Sequence, residues 1–164
     1  MDIKNLTKEQ AIAEHRKMWN WIADRLEEAE ELKNDGDFKS DLYNILKLKR
    51  KYIEIRGFKN ILCDCFCCEY EYQQEARMDG GYKGYCSLCP LLWGTEDKVN
   101  IGFCEKGMDM SDFKRKYNID FLTPFKTIGL WEMANKLSAY HKYKEAAKIA
   151  RQIANLSEKE IDHV

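Results

Sequence analysis

The sequence predicts a mainly α protein in which an N-terminal helical hairpin and C-terminal helices flank a small zinc-bound loop and β-hairpin module. Three observations carry this. Apolar residues recur at helical spacing over both ends of the chain, six of the seven cysteines crowd into Cys63 to Gly94, and the glycines Gly80, Gly81 and Gly84 mark a turn inside that window. At 164 residues with 45 % hydrophobic and 34 % charged side chains, the chain suits a single domain. Its expected parts are a helical hairpin over 1–57, a zinc module over 58–107 and helices over 108–164.

The first helix is expected from Lys8 to Leu32. Thr7 and Gln10 form a capping-box pattern, and Ile12, His15, Trp19, Ile22, Leu26 and Ala29 then repeat on one face. Trp19 and Trp21 cannot both face the core, because successive residues differ by about 100° around a helix. "NDGD" at Asn34 to Asp37 is turn chemistry. A second helix carries Leu42, Ile45, Leu46, Lys49 and Ile53 and stops near Gly57. So short a connection predicts antiparallel packing.

Within the cysteine window, Tyr70, Tyr72, Tyr82 and Tyr85 suggest short extended segments on either side of the glycines. Beyond it, Ser111 is a candidate cap for a short helix, and Thr123-Pro124 reads as an N-cap followed by proline at the first helical position. Helix is expected from there to about Asn155, with breaks near Gly129 or around "SAYHKY". Ala146, Ala147, Ile149, Ala150, Ile153 and Ala154 form a small-residue face suited to close approach of another helix.

The cysteine spacing carries the chemistry. Cys65-x-x-Cys68 and Cys86-x-x-Cys89 are separated by 17 residues, a zinc-site spacing in which two tight turns each aim two sulfurs at one tetrahedral ion. Four thiolates close such a site, so the expected cofactor is a structural Zn2+. Cys104 is the alternative fifth ligand. Cys63 and Cys67 are offset from the paired turns and read as packing thiols. An iron–sulfur cluster takes the same donors, although the tighter ferredoxin spacing is absent.

Catalytic motifs are missing from the sequence. No H-x-E precedes a P-C-x-x-C, no H-E-x-x-H occurs, and there is no P-loop or G-x-S-x-G elbow. His15 lies on the apolar stripe and reads as a satisfied core histidine; His141 and His163 are also remote from the cysteines in sequence. The sequence therefore leans away from an enzyme, which ranks third after a binding protein and a nucleic-acid regulator. Net charge is −1, which lacks the footprint of a dedicated nucleic-acid binder. Lys47, Arg50 and Lys51, with Lys49 and Arg56 nearby, form a local basic cluster, offset by "EEAEE" at Glu27 to Glu31 if the hairpin brings the two together. No apolar run approaches the roughly 18 residues of a membrane span, so a cytoplasmic protein is expected, with no membrane partner.

"AIAEHRKMWNWIAD", "CFCCEY", "CSLCPLLWG", the later Cys104 and "AAKIARQIANL" together resemble a group of small, mostly uncharacterised proteins of tailed phages and prophages of Gram-positive bacteria. The resemblance implies that Cys65, Cys68, Cys86 and Cys89 are the matching thiols, with Cys104 the alternative, and that Cys63 and Cys67 are additions of this chain. It also implies a phage accessory protein acting in the host cytoplasm. The expected function is to bind and inhibit or sequester a host component, an antiviral-defence protein or its small-nucleotide signal. Trp21, Arg50 and Tyr82 are the candidate partner-binding residues. The alternative is a zinc-ribbon-like regulator that binds nucleic acid.

Overall fold

The computed structural model describes residues 5–61, 65–75, 89–91 and 107–158. These form helices α1 (Lys8–Leu32), α2 (Ile45–Arg56), α3 (Phe66–Glu75), α4 (Met110–Tyr117), α5 (Leu130–Ala139) and α6 (Tyr143–Ala154). A 3-10 turn spans Ser40–Tyr43, and the two-residue strands β1 (Met108–Asp109) and β2 (Thr127–Ile128) pair antiparallel, Met108 opposite Ile128. The fold is mainly α, as the sequence predicts. No helix among the described residues is long and apolar enough to cross a membrane.

Helix α1 is the spine. Its capping box forms as expected: Thr7 Oγ1 accepts from Gln10 N–H, and Gln10 Oε1 accepts from Thr7 N–H. The whole predicted stripe is buried, with Trp19, Ile22, Leu26 and Ala29 at 0 % exposure. Trp21 lies at an intermediate position instead, its ring against Tyr52 with the Arg25 guanidinium over it. Only one of the two tryptophans enters the core, as the helical angle requires.

The principal partner of α1 is α6, and α2 is secondary, so the hairpin expected at the N-terminus is the lesser of the two packings. The reason lies in side-chain size. The buried alanines Ala146, Ala147, Ala150 and Ala154 of α6 admit the close approach that the bulkier face of α2 does not. Helices α1 and α6 run antiparallel: Glu30 near the end of α1 accepts from Lys144 N–H in the first turn of α6, while His15 meets Ile153 in its last. Between these points Arg151 bonds Asp24 at 2.7 Å and Glu27 at 3.0 Å. Helix α2 is also antiparallel to α1, with Tyr52 and Arg56 against Glu14 and Lys49 against Trp19. It ends on Gly57, whose φ of 70° lets its N–H return to Ile53 and Glu54 carbonyls.

Several local expectations are overturned, beginning with Leu42, which lies exposed in the 3-10 turn ahead of α2 rather than on that helix. Tyr70 and Tyr72 lie in helix α3, so this half of the expected loop and β-hairpin module is helical. Asp109, not Ser111, caps α4, its carboxylate accepting from Ser111 and Asp112 N–H. Thr123-Pro124 starts no helix. The Thr123 hydroxyl accepts from Phe125 N–H in a tight turn, and the following residues pair as β2 with β1, which delays the helix to Leu130 with Gly129 at its cap. The strand pair needs Gly107, because a Cβ there would collide with the Ile128 carbonyl and Gly129. The expected break around "SAYHKY" is present, between α5 and α6. Tyr82, Tyr85 and the three turn glycines lie outside the described residues.

Helices α1 and α2 are joined by a buried polar knot. Glu14 accepts from Tyr52 Oη at 2.9 Å and Arg56 Nη2 at 2.8 Å, with Lys17 Nζ at 3.4 Å. Burial alone would raise the Glu14 carboxyl. The hydrogen bonds from Arg56 and Tyr52 and the charges of Arg56 and Lys17 outweigh it, holding the group below its ordinary 4.5. A lowered folded-state value means stability that is present above about pH 4.5 and lost as the pH falls through the folded value. Replacing Glu14 with Gln is therefore expected to cost about 1–3 kcal/mol at neutral pH, and the gap to wild type should close on acidification. Urea unfolding of both proteins between pH 7 and pH 3 measures this, and a gap that widens with acid would contradict it.

Candidate metal centre

The first turn of α3 begins the centre. Cys65 immediately precedes the helix and its carbonyl accepts from Glu69 N–H at 2.9 Å, so Cys65, Cys67 and Cys68 all sit at its N-terminal end. Cys67 is fully buried against α1, its Sγ 3.9 Å from the Ala11 carbonyl, and Cys65 and Cys89 are buried too. Cys68 is half-buried. Cys89 arrives on residues 89–91, which are tied to the chain beyond α6 by an antiparallel bridge between Leu91 and Glu158.

His15 completes the cluster from α1. Its Nδ1 lies 3.8 Å from Cys65 Sγ, and its Nε2 lies 3.0 Å from the Ile153 carbonyl oxygen. The donor atoms of His15, Cys65 and Cys67 fall within 4.8 Å of one another, a group that could hold a metal ion. All four described cysteines are free thiols.

The electrostatics separate the thiols. Hydrogen bonds from Cys67 first, then from Cys68, pull the Cys65 thiol well below its ordinary range; burial opposes this, and the hydrogen bond and charge of His15 assist. Hydrogen bonds to Cys65 and Cys89, with burial and the charges of the same two sulfurs, push Cys67 strongly upward. Cys65 is thus more readily ionised than Cys67, which holds its proton between two neighbours. A divalent cation at this point would displace such protons and neutralise the resulting thiolates.

Of the cysteines expected to bind metal, Cys65 interacts with Cys68, and Cys89 interacts with Cys67. Cys86, Cys63 and Cys104 lie outside the described residues. Cys67, expected to be a packing thiol, lies within the cluster, because helical rotation from Cys65 carries it inward to α1 while Cys68 turns partly outward. His15 meets a backbone carbonyl at Nε2, as a core histidine would, and its other ring nitrogen faces sulfur. The one sequence signal for this was a single polar ring on a stripe otherwise made of Ile, Trp, Leu and Ala.

The other candidates separate as well. Lys47 pairs with Asp41, Lys51 with Glu54 and Arg56 with Glu14, while Lys49 is 3 % exposed between the rings of Trp19 and Trp131. The basic cluster is thus compensated, though not by "EEAEE": Glu27 serves Arg151, Glu28 serves Arg25 and Glu30 serves Lys33. Arg50 is exposed and Trp21 half-buried. Tyr82 and His163 lie outside the described residues, and His141, at φ 58°, stacks on Tyr143.

Fold and site define a mainly helical protein with a buried thiol–imidazole cluster able to hold a metal ion. No protein-family model matches the chain, and no curated protein or solved structure matches it.

Proposed function

We propose that the protein is a non-catalytic binding protein whose helical body is braced by a structural Zn2+ in the His–Cys cluster. The observation that carries this reading is burial: His15 and Cys67 are at 0 % exposure and Cys89 at 3 %. Catalytic zinc keeps a position open to water and substrate, whereas donors enclosed on α1, α3 and residues 89–91 suit a closed site. Sulfur and imidazole donors on one small centre favour zinc over a hard cation such as Mg2+ or Ca2+.

The binding role is supported by the surface between α4 and α5. Leu122 and Phe125 are exposed at 103 % and 72 %, yet their loop is firmly held. Tyr140 Oη donates to the Asp120 carbonyl, Lys114 Nζ to the Phe121 carbonyl, and Met110 N–H to the Lys126 carbonyl. Apolar tips on a braced loop are pre-organised anchors, and the nearby Lys114, Lys126 and Lys136 suit a protein whose apolar pocket is rimmed by carboxylates. Given the resemblance to phage proteins, the target is taken to be a host protein, with a small nucleotide signal as the other candidate ligand.

Titration against a panel of host proteins, with duplex DNA and cyclic-nucleotide controls, tests the proposal. Inhibition should saturate near one protomer per target site without turnover. Leu122→Ala and Phe125→Ala should each weaken binding by on the order of 2 kcal/mol while leaving the melting temperature unchanged. Loss of host activity at a small fraction of the target's concentration, with a modified target or consumed nucleotide, would make the protein an enzyme. Tight binding to DNA that weakens steeply with salt would make it a nucleic-acid binder instead.

A further inference from the structure

We infer that His15 is itself a metal ligand through Nδ1, so that the centre is a mixed imidazole–thiolate site rather than the four-thiolate site of paired C-x-x-C turns. The inference rests on the zinc reading above and deepens it. The Ile153 carbonyl can only accept a hydrogen bond, so the Nε2 that approaches it at 3.0 Å carries the ring proton. In the neutral imidazole this leaves a lone pair on Nδ1, the nitrogen that faces Cys65 Sγ. A ring fixed by N–H donation to a backbone carbonyl, with its other nitrogen presented to metal, is the usual arrangement around ligating histidines.

The spacing fits. With Zn–N near ~2.0 Å and Zn–S near ~2.3 Å, tetrahedral geometry separates a nitrogen and a sulfur donor by about 3.5 Å. The observed separation is 3.8 Å. Cys65 and Cys67 supply the two sulfurs grouped with the imidazole. Cys68, touching Cys65, and Cys89, touching Cys67, are the two thiols in place to supply the next.

This ligand does what a fourth cysteine on the 65–89 segment could not. Ile153 lies in the last turn of α6, and its carbonyl meets His15 Nε2 as well as Leu156 N–H at 3.4 Å. A metal on Nδ1 therefore ties α3 through α1 to the end of α6. Centre and helical body become one mechanical unit.

The test is zinc-edge X-ray absorption on the full chain, with zinc affinity measured by competition against a chromophoric chelator. One imidazole and three sulfurs around the ion are expected. His15→Gln keeps an amide donor near the Nε2 position, and so the bond to Ile153, while removing the Nδ1 ligand. It should lose more affinity than the roughly 10–100-fold that loss of an outer hydrogen bond costs. His15→Asn keeps a polar atom near Nδ1 and drops the Ile153 bond, and should lose less. Stoichiometric zinc with four sulfurs and full affinity in both variants would overturn the inference and leave the structural-zinc reading standing. Protein purified under reducing conditions that takes up no zinc at all would overturn both.

Discussion

On the zinc reading, treatment with a chelator, or replacement of Cys65 with serine, is expected to produce the largest loss of structure of any single change. Structural zinc in small modules contributes apparent binding energies of ~10–16 kcal/mol, and that energy is folding energy wherever the site is unformed in the unfolded chain. Cys65 is the most consequential of the thiols. It touches Cys67, Cys68 and His15 together, and hydrogen bonds from Cys67 and Cys68 hold its thiol well below the ordinary range. Without the ion, buried sulfurs must remain protonated or repel one another, and α3 loses the link that holds its first turn to α1. Hydrogen exchange should report loss of protection across Phe66–Glu75 and residues 89–91, while the interface of α1 and α6 away from His15 stays protected. Cys68→Ser and Cys89→Ser should do the same to a lesser degree. An unchanged melting curve in excess chelator would contradict the whole account of the centre.

Replacing Trp19 with alanine should cost about 3–5 kcal/mol, the range for emptying a large aromatic site. The side chain is fully buried in the middle of α1. Its ring also supports a buried cation: Lys49 Nζ lies 5.0 Å from the Trp19 ring centroid and 4.9 Å from that of Trp131. Removing one face leaves the ammonium with half of this aromatic support in a site where attraction to a ring is worth about 2 kcal/mol or more when desolvated. Trp19→Phe separates the terms. It keeps an aromatic face and deletes an indole N–H that has no hydrogen-bond partner among the described residues, so it should lose far less. Urea unfolding with a constant slope measures both, and equal losses in the two variants would contradict this account.

How much of this was legible depended on distance along the chain. Helix α1 could be read to the residue because its cap and its stripe are local: Thr7 and Gln10 are three apart, and the buried positions repeat within a turn. The end of α2 was legible for the same reason, in Gly57. Helix α3 was misread because tyrosines favour extended structure on a half-buried surface, and nothing local announces that Cys67 packs on Ala11. Thr123-Pro124 misled because the pairing that overrides it lies at Met108 and Asp109. The cysteine window pointed to Cys65 in the cluster that could hold a metal, but His15 stands 50 residues from Cys65, and no spacing rule reaches that far.

That same separation governs how the molecule can be made. Helix α1 is complete at Leu32, while its main partner α6 begins only at Tyr143, about 110 residues later. At 5–20 residues per second, synthesis leaves the stripe of Ile12, Trp19, Ile22 and Leu26 without its final cover for on the order of 10 s. Closing so long a loop is slow compared with forming helices. A nascent chain in this condition is a natural client for chaperones, and truncation before α6 should yield insoluble protein rather than a smaller folded one.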